Sequence, residues 1–203
     1  MSIPFQDSET AKNLLRAFAG ESQARNRYDF AANLCQKQEL QAMAFIFQAT
    51  AKQEQAHAKV FWDHLQALNG QNLPIYGAYP IEGTNRILEL LRAAQHNEHE
   101  EHGSVYPSFA AIATQEGFSE AAASFRQIAA IEQLHGERFG LLADQLESGA
   151  LFVSQIETGW MCLNCGHTQN SLEAPKQCPV CNHGQGWFIR LELAPWSPVV
   201  KQT

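Results

Sequence analysis

The fold is decided by the stretch from residue 121 to residue 146, which reads AAASFRQIAAIEQLHGERFGLLADQL. Its large apolar residues recur in alternating steps of four and three, and residues at this spacing share one face of an α-helix. Glu132 and His135 lie in the middle of that apolar face. A buried carboxylate without a partner is costly or becomes protonated. The stretch therefore predicts a packed helix that holds a Glu-x-x-His pair in the protein interior and needs a compensating cation.

Three further segments repeat this helical pattern, and Pro107 predicts a kink or an opened turn in the last of them. The segment at residues 71–83 is rich in Pro, Gly and Tyr, so it is too irregular for a helix and longer than a tight turn. Two short connections and one long one describe an all-α four-helix bundle with a single long crossover. The three segments cover residues 8–35, 40–68 and 84–116, and Asp7 or Ser8 can cap the first.

Each predicted helix places a glutamate on its apolar face. Glu54 and His57 form a second Glu-x-x-His pair, whereas Glu21 and Glu98 stand alone. Glu21 precedes Glu54 by 33 positions, and Glu98 precedes Glu132 by 34 positions. Two helix pairs of one design would bring all these side chains to a common midpoint. A Glu from each of two helices and Glu-x-x-His from each of the other two is the ligand pattern of di-iron carboxylate bundles.

Other side chains extend this predicted site. Glu101, one turn beyond Glu98, is a surplus carboxylate ligand, although Glu100 competes for that position if the helix is overwound. Five glutamates carry about −5, and two ferrous ions or two oxide-bridged ferric ions carry about +4, which a dry core tolerates. Tyr28 and Tyr106 are expected to point inward, either as plain core aromatics or as hydrogen-bond donors to ligand carboxylates. The polar neighbours expected on a solvated face of the third helix are His96, His99, Glu100 and His102.

The character of the sequence changes near Leu151, where helical periodicity ends and Gly, Pro, Asn and Cys become frequent. Residues 188–193 alternate apolar and polar side chains, which predicts a strand. The predicted domains are residues 1–150, the bundle, and residues 151–203, a small β-rich metal domain. So small a domain cannot rely on its hydrophobic core alone, and a bound metal would supply the missing stability.

Four of the five cysteines form two Cys-x-x-Cys units in this second domain. In a reducing compartment such units bind metal more often than they form disulfides. Four thiolates accept zinc or a single iron about equally well, so spacing alone leaves a structural zinc ribbon open. A di-iron site that turns over needs an electron source, which favours iron. The four cysteines are Cys162, Cys165, Cys178 and Cys181, while the lone Cys35 is expected to be a small buried hydrophobe.

Composition sets wider limits. The formal net charge of −7 gives no support for nucleic-acid binding. No secretory signal is visible at the N-terminus, and no apolar run is long enough to cross a bilayer, so membrane association is not expected. A cytoplasmic protein is the expectation.

Together these motifs resemble the rubrerythrin family over nearly the whole chain. The resemblance implies a ferritin-like bundle followed by a rubredoxin-like domain. The chain departs from the family pattern at one position. Family members often have Gly just before the Glu of the third helix, and this chain has Asn97 there. The residues that carry the resemblance are Glu21 with Tyr28, EQAH at 54–57, EHEE at 98–101 followed by Tyr106-Pro107, EQLH at 132–135 and the four C-terminal cysteines.

The resemblance further implies a non-haem di-iron peroxidase that reduces hydrogen peroxide to water in oxidative-stress defence. Electrons would come from NAD(P)H through a separate reductase or a rubredoxin, enter at an Fe(Cys)4 centre and pass to an oxo- and carboxylate-bridged di-iron centre. One iron would exchange His57 for Glu101 between redox states. Family members are homodimers or larger homo-oligomers, in which the cysteine centre of one subunit lies close to the di-iron site of another.

Two other functions are consistent with parts of the sequence. Related bundles act as ferroxidases or store iron, although storage has no need of the electron input that the cysteine domain suggests. A zinc-stabilised interaction protein with a vestigial bundle is the non-enzymatic alternative, and a colourless protein without iron would support it.

Overall fold

The computed structural model of the protein describes residues 3–194. Long helices account for most of this part, and the predicted four-helix bundle with one long crossover is confirmed. A short π-helix divides the third long helix, so its two halves carry separate labels. The elements are α1 (Glu9–Lys37), α2 (Gln41–His64), α3 (Ile87–Glu100), the π-helix (Glu101–Val105), α4 (Tyr106–Glu116) and α5 (Ser119–Glu147).

Local chemistry sets the helix ends. Ser8 caps α1, because its Oγ accepts a 3.0 Å hydrogen bond from the N–H of Ala11. Gly117 ends α4 with a φ of +90°, a left-handed conformation that glycine adopts without strain. The second helix is shorter than predicted, since Leu65–Leu68 form a 3-10 turn rather than a last α-helical turn.

The predicted irregularity near Pro107 is confirmed as the π-helix that precedes it. Pro107 itself lies in the first turn of α4. A proline ring collides with the carbonyl one turn earlier in a regular α-helix and cannot donate a hydrogen bond. The wider π-helical turn removes this conflict and leaves α3 and α4 as one long member of the bundle.

The crossover between α2 and α3 has no regular structure through residues 71–84, yet side chains of the bundle hold it down. Arg16 of α1 donates from Nε to the carbonyl of Tyr76 at 2.9 Å, and Tyr79 returns a 3.0 Å hydrogen bond to the carbonyl of Arg16. Gln23 donates to the carbonyl of Pro80 at 2.8 Å. The crossover is therefore fixed along α1 near the middle of the bundle.

The C-terminal part folds as a three-stranded antiparallel sheet. Its strands are β1 (Val153–Cys162), β2 (Thr168–Glu173) and β3 (Phe188–Arg190), and their order in the sheet is β2-β1-β3. Periodicity predicts only the last strand, and the prediction that it continues to residue 193 is wrong, because Leu191–Leu193 form a 3-10 turn. Pairing with β1 ends where Trp160 faces Arg190, and the next residue folds over Gly159.

The small sheet packs directly against the bundle. Met161 and Ile189 belong to the same buried cluster as Met43 of α2 and Leu142 of α5. Another cluster, which includes Trp160, Cys178 and Phe188, is formed by residues of the C-terminal part alone. The predicted division at residue 150 falls between α5 and β1 and stays a prediction, and its residues 1–2 and 195–203 lie outside the described residues.

Candidate metal centres

Four carboxylates and two imidazoles converge at the middle of the bundle. They are the six side chains that the helical spacing of the sequence predicts there. Glu21 of α1 and Glu132 of α5 have no exposed surface, and Glu98 of α3 is 1% exposed. Glu54 and His57 of α2 are buried as well. His135 completes the group from α5, also buried. The helical spacing of the sequence therefore places all six side chains in one interior site.

Two of the carboxylates lie between the two histidines. His57 Nδ1 is 3.1 Å from Glu54 Oε2 and 2.9 Å from Glu132 Oε1. His135 Nδ1 is 3.0 Å from Glu54 Oε1 and 2.8 Å from Glu132 Oε2. Each of these glutamates thus offers one oxygen to each imidazole. This is the position of a carboxylate that bridges two metal ions.

The side chains divide into two overlapping ligand sets. Glu54 and Glu132 belong to both, and within each set the ligand atoms lie within 4.8 Å of one another. The two imidazole rings are nearly parallel, with 5.8 Å between their centroids. The sets are Glu21, Glu54, His57 and Glu132 on one side, and Glu54, Glu98, Glu132 and His135 on the other. The arrangement has the pseudo-twofold symmetry that the sequence repeat predicts.

The hydrogen bonding of the site tests whether cations fit it. Six buried atoms at its centre make no hydrogen bond of acceptable geometry, although imidazole nitrogens and carboxylate oxygens lie at ion-pair distance: Glu21 Oε2, Glu54 Oε1, Glu98 Oε2, both Glu132 oxygens and His135 Nδ1. Unpaired buried oxygen and nitrogen atoms on this scale are strongly unfavourable. Carboxylate oxygens and imidazole nitrogens are also the donors that iron binds in carboxylate bundles. The residues therefore fit a pair of iron ions.

Burial controls the protonation of the metal-free site. It raises the pKa of Glu21 to about 8 and that of Glu98 to about 7. Burial opposes a charge on His135, but the carboxylates of Glu132, Glu54 and Glu98 beside its Nδ1 outweigh burial and raise the pKa of His135 to about 11. Without metal the site therefore holds protons, and metal binding must release them.

Two tyrosines orient the terminal carboxylates. Tyr28 donates its hydroxyl hydrogen to Glu98 Oε1, and Tyr106 donates to Glu21 Oε1. In each glutamate the other oxygen, Oε2, is left facing the centre without a partner. Both tyrosines are buried, so the expectation that they point inward is confirmed.

Gln53 also contacts the site, and no pattern in the sequence indicates it. Its Oε1 accepts a 2.9 Å hydrogen bond from Nε2 of His135. That bond keeps the proton on Nε2 and leaves Nδ1, the atom facing the two shared carboxylates, free as a ligand. An exposed glutamine beside Glu54 is an ordinary feature of a helix surface, so periodicity does not distinguish it.

Glu101 lies outside both ligand sets. It belongs to the π-helix and lines a cavity next to the site, so the residue keeps some accessible surface. Burial of its carboxyl raises its pKa well above the ordinary value, and the nearby Glu21 carboxylate adds to the effect. Its role as a ligand stays a prediction.

The solvated face expected on the third helix is confirmed for His96, His99 and Glu100, which are exposed. His102 is only half-buried, and its Nδ1 lies 2.8 Å from the carbonyl oxygen of Ala129 on α5. None of these four side chains belongs to either ligand set of the bundle.

The four C-terminal cysteines meet at one point of the small sheet. Their sulfur atoms lie within 4.8 Å of one another, and the distances from Cys162 to Cys181 and from Cys165 to Cys178 are both 3.7 Å. All four are free thiols. Four sulfur donors at this spacing suit a tetrahedral metal ion. Cys35 is fully buried, as predicted.

The two cysteine loops have the same backbone design. The N–H of Cys162 donates to the carbonyl of His167 at 2.9 Å, and the N–H of Cys178 donates to the carbonyl of His183 at 2.8 Å. Asn182 has a left-handed φ of +59°, and the glycine at the corresponding position of the first loop has +77°. The N–H of His183 points at the Cys181 sulfur and, despite some burial, lowers the pKa of that thiol to about 5. A thiolate, the form that binds metal, is thereby favoured.

A helical bundle with a doubled carboxylate–histidine interior, joined to a sheet with four converging thiols, defines a ferritin-like di-iron protein with a rubredoxin-like domain. The family model "Rubrerythrin" matches residues 12–143, and the model "Rubrerythrin, rubredoxin-like domain" matches residues 160–189. The chain belongs to the rubrerythrin family.

Proteins that are named rubrerythrins are similar to this chain over nearly their full length. The chain is 44% identical to a rubrerythrin of Porphyromonas gingivalis over 93% of this chain and 92% of the relative. It is 40% identical to a rubrerythrin of Nitratidesulfovibrio vulgaris over 92% of this chain and 96% of the relative. A fully reduced, all-ferrous nigerythrin structure aligns with a TM-score of 0.60 and 25% identity, covering 91% of this chain and 90% of the other. These relatives place the chain among di-iron oxidoreductases of oxidative-stress defence.

Within residues 3–194, none of the helices combines the length and the apolar character needed to cross a membrane.

Proposed function

We propose that the protein is a peroxidase that reduces hydrogen peroxide to water with electrons from an NAD(P)H-dependent reductase or a rubredoxin. The observation that carries this proposal is the presence, in one chain, of a buried double carboxylate–histidine site and a four-cysteine site. The first can hold two metal ions and the second a one-electron carrier. A ferroxidase or an iron store has no use for the second site.

The chain would hold the bound irons through the two ligand sets already described, together with Glu101. The irons would supply the two electrons that convert hydrogen peroxide, with two protons, into two water molecules. Glu54 and Glu132 offer oxygens to both halves and so fix the spacing of the centre. Tyr28 and Tyr106 hold Glu98 and Glu21 with one oxygen turned inward, and Gln53 holds the ring of His135.

The family resemblance supplies the proposal that Glu101 replaces His57 as a ligand in one redox state. Two observations support it. Glu101 follows Glu98 by about one turn, is the first residue of the π-helix and lines the cavity beside the site. Its carboxyl is also close enough to Glu21, Glu98 and Glu132 for their charges to raise its pKa.

Iron bound by the four thiolates would receive single electrons from the partner and pass them to the bundle. A homodimer or larger homo-oligomer would bring the cysteine centre of one subunit near the bundle site of another. The four free thiols fit a reducing, cytoplasmic compartment.

The proposal is tested first by purifying the full chain without added metal and measuring its iron content and visible spectrum. We expect iron in both sites and a visible absorption that disappears on reduction. The reduced protein is then mixed rapidly with hydrogen peroxide or with dioxygen. Faster oxidation by peroxide supports the peroxidase, faster oxidation by dioxygen supports the ferroxidase, and a colourless zinc protein contradicts both.

A further inference from the structure

A cavity of about 410 Å³ opens beside the bundle site. Its walls come from three parts of the chain that are distant in sequence: α1, the crossover, and the segment where α3 passes into the π-helix. The residues that matter for its shape are Arg16, Gly20, Tyr79, Asn97, Glu101 and Tyr106.

Two residues that line this cavity are connected with the metal centre. Tyr106 lines it and donates its hydroxyl hydrogen to Glu21. Glu101, the proposed additional ligand, lines it as well. A second cavity of about 580 Å³ lies between α1 and α2, where Ser22 and Trp62 are among its lining residues. None of the described residues that line the second cavity is a predicted ligand, so of these two cavities only the first is lined by a predicted ligand, Glu101.

The outer wall of the first cavity is held in place rather than left loose. The hydroxyl of Tyr79 donates to the carbonyl of Arg16 at 3.0 Å, and the guanidinium of Arg16 donates back to the crossover at Tyr76. Glu82 accepts from Arg27 at 2.8 Å and from Asn97 at 2.6 Å. These bonds tie the crossover to both α1 and α3, which gives the opening a defined width.

Gly20 lines the cavity beside the ring of Tyr79. It immediately precedes Glu21, and a Cβ placed on it would stand 3.6 Å from Cε1 of the Tyr79 ring. That distance is ordinary contact, so a methyl group would fit, but any longer side chain would compete with Tyr79 for the same space. Gly20 and the Tyr79 ring are therefore neighbouring parts of one wall, and a side chain longer than a methyl group at position 20 would project into the cavity.

We propose that this cavity is the route by which a small oxidant reaches the metal centre, and that the small residue Gly20 and the ring of Tyr79 in its wall limit the size of the molecules it admits. The inference rests on the proposed function and specifies its substrate class: hydrogen peroxide enters, and bulky alkyl hydroperoxides are excluded.

Leucine substitutions on either side of Glu21 test the route. Gly20→Leu fills the proposed cavity, whereas Ser22→Leu adds a leucine in the second cavity at the same distance in sequence from Glu21. The readout is the rate at which azide binds to the iron-loaded, oxidised protein, followed by absorbance in rapid mixing. We expect Gly20→Leu to slow azide binding at least about tenfold and Ser22→Leu to leave it near the wild-type rate. Circular dichroism and iron content establish that both variants are folded and loaded, and Gly20→Ala provides a milder block.

Substitutions of Tyr79 test the width. Tyr79→Ala removes the ring, and Tyr79→Phe keeps the ring but loses the hydrogen bond to Arg16. We expect Tyr79→Ala to raise kcat/KM for tert-butyl hydroperoxide relative to hydrogen peroxide by about tenfold, and Tyr79→Phe to leave this ratio unchanged.

The outcomes separate the route from the proposed function. Equal slowing of azide by both leucine variants, slowing by Ser22→Leu alone, or slowing by neither overturns the route, as does a ratio of hydroperoxide rates that Tyr79→Ala does not move. If azide binding follows the expected pattern but the wild-type protein reduces no peroxide, the route stands and the proposed function fails.

Discussion

At the scale of single residues, the site divides into groups that sequence reasoning can find and groups that it cannot. A glutamate among large apolar residues at helical spacing is unusual, so the sequence alone is enough to single out Glu21, Glu54, Glu98 and Glu132. Gln53 escapes such reasoning, because a glutamine on a helix surface is common and its contact with His135 depends on how α2 and α5 pack. Its importance is nevertheless testable.

We expect Gln53→Leu to lower the iron affinity of the bundle site and its peroxide turnover by about tenfold. The substitution removes the acceptor for the Nε2 proton of His135 and so frees the ring to take the other tautomer or rotate. The measurement is iron binding to metal-free protein, followed by turnover of the loaded protein. Gln55→Leu is the matched control. Among the described residues, the hydrogen bond given for the Gln55 side chain is the one it accepts from the exposed Lys52. Equal losses in both variants would show that Gln53 has no special role.

At the scale of secondary-structure elements, helical periodicity is sufficient to predict the four helices of the bundle. Periodicity does not reveal the first two strands, whose apolar and polar residues hardly alternate. β1 and β2 expose polar side chains on much of their length, so their sequences alternate too little to indicate strands. The π-helix is predictable only as an irregularity near Pro107, because a proline indicates a disturbed helix without fixing the form it takes. Hydrogen bonds from residues distant in sequence also stabilise helix ends, and the N-terminus of α1 is an example.

Glu116, the last residue of α4, caps the N-terminus of α1 from a neighbouring helix. Its carboxylate accepts hydrogen bonds from the N–H of Glu9 at 3.0 Å and from the N–H of Thr10 at 2.8 Å. Some burial opposes the charge, but these bonds and the Thr10 hydroxyl lower the pKa of Glu116 below its ordinary value of 4.5. A carboxyl with a lowered pKa in the folded state stabilises the protein above the pKa of the unfolded state, and this is lost as the pH falls through the folded pKa.

We therefore expect Glu116→Gln to lower the free energy of unfolding by about 1 kcal/mol at pH 7. The difference from wild type should begin to shrink as the pH falls below about 4.5, where the carboxyl of the unfolded wild-type chain takes up a proton, and disappear once the folded carboxyl is protonated too. Denaturant unfolding at a series of pH values measures this. Glu157→Gln, at an exposed position of β1, is the control. A loss that stays constant down to about pH 3 would contradict an electrostatic cause.

Gly117 is the second element-scale test. Its φ of +90° is left-handed and no atom lies within 4 Å of a Cβ placed on it, so substitution costs backbone strain alone. Gly117→Ala should lower the free energy of unfolding by about 1 kcal/mol. Gly103→Ala has equal space and no left-handed φ, so it should leave the stability unchanged or raise it slightly. Thermal unfolding of the two variants compares them, and equal effects would rule out strain at Gly117.

At the scale of the whole molecule, sequence patterns predict two parts but not how they join. The join depends on backbone detail that leaves no pattern in side chains. Glu39, between α1 and α2, has a left-handed φ of +60°, and its carbonyl oxygen lies where a Cβ on Gly186 would be only 1.7 Å away. The bundle and the sheet meet so closely there that only glycine fits at position 186.

This contact makes Gly186→Ala a test of the join itself. The added methyl group would strike a backbone oxygen that cannot turn aside, so the sheet must shift away from the bundle and loosen the apolar cluster to which Met43 and Ile189 both belong. We expect the free energy of unfolding to fall by about 2 kcal/mol and the link between bundle and sheet to become sensitive to limited proteolysis. Gly184→Ala, two residues earlier in the same loop, has open space and an ordinary φ of −69°, and should behave as wild type. The metal–thiolate absorption of the cysteine site should survive in both variants, because the two cysteine loops do not include either glycine. If Gly186→Ala unfolds and is digested like Gly184→Ala, the close approach of Glu39 and Gly186 does not hold the two parts together.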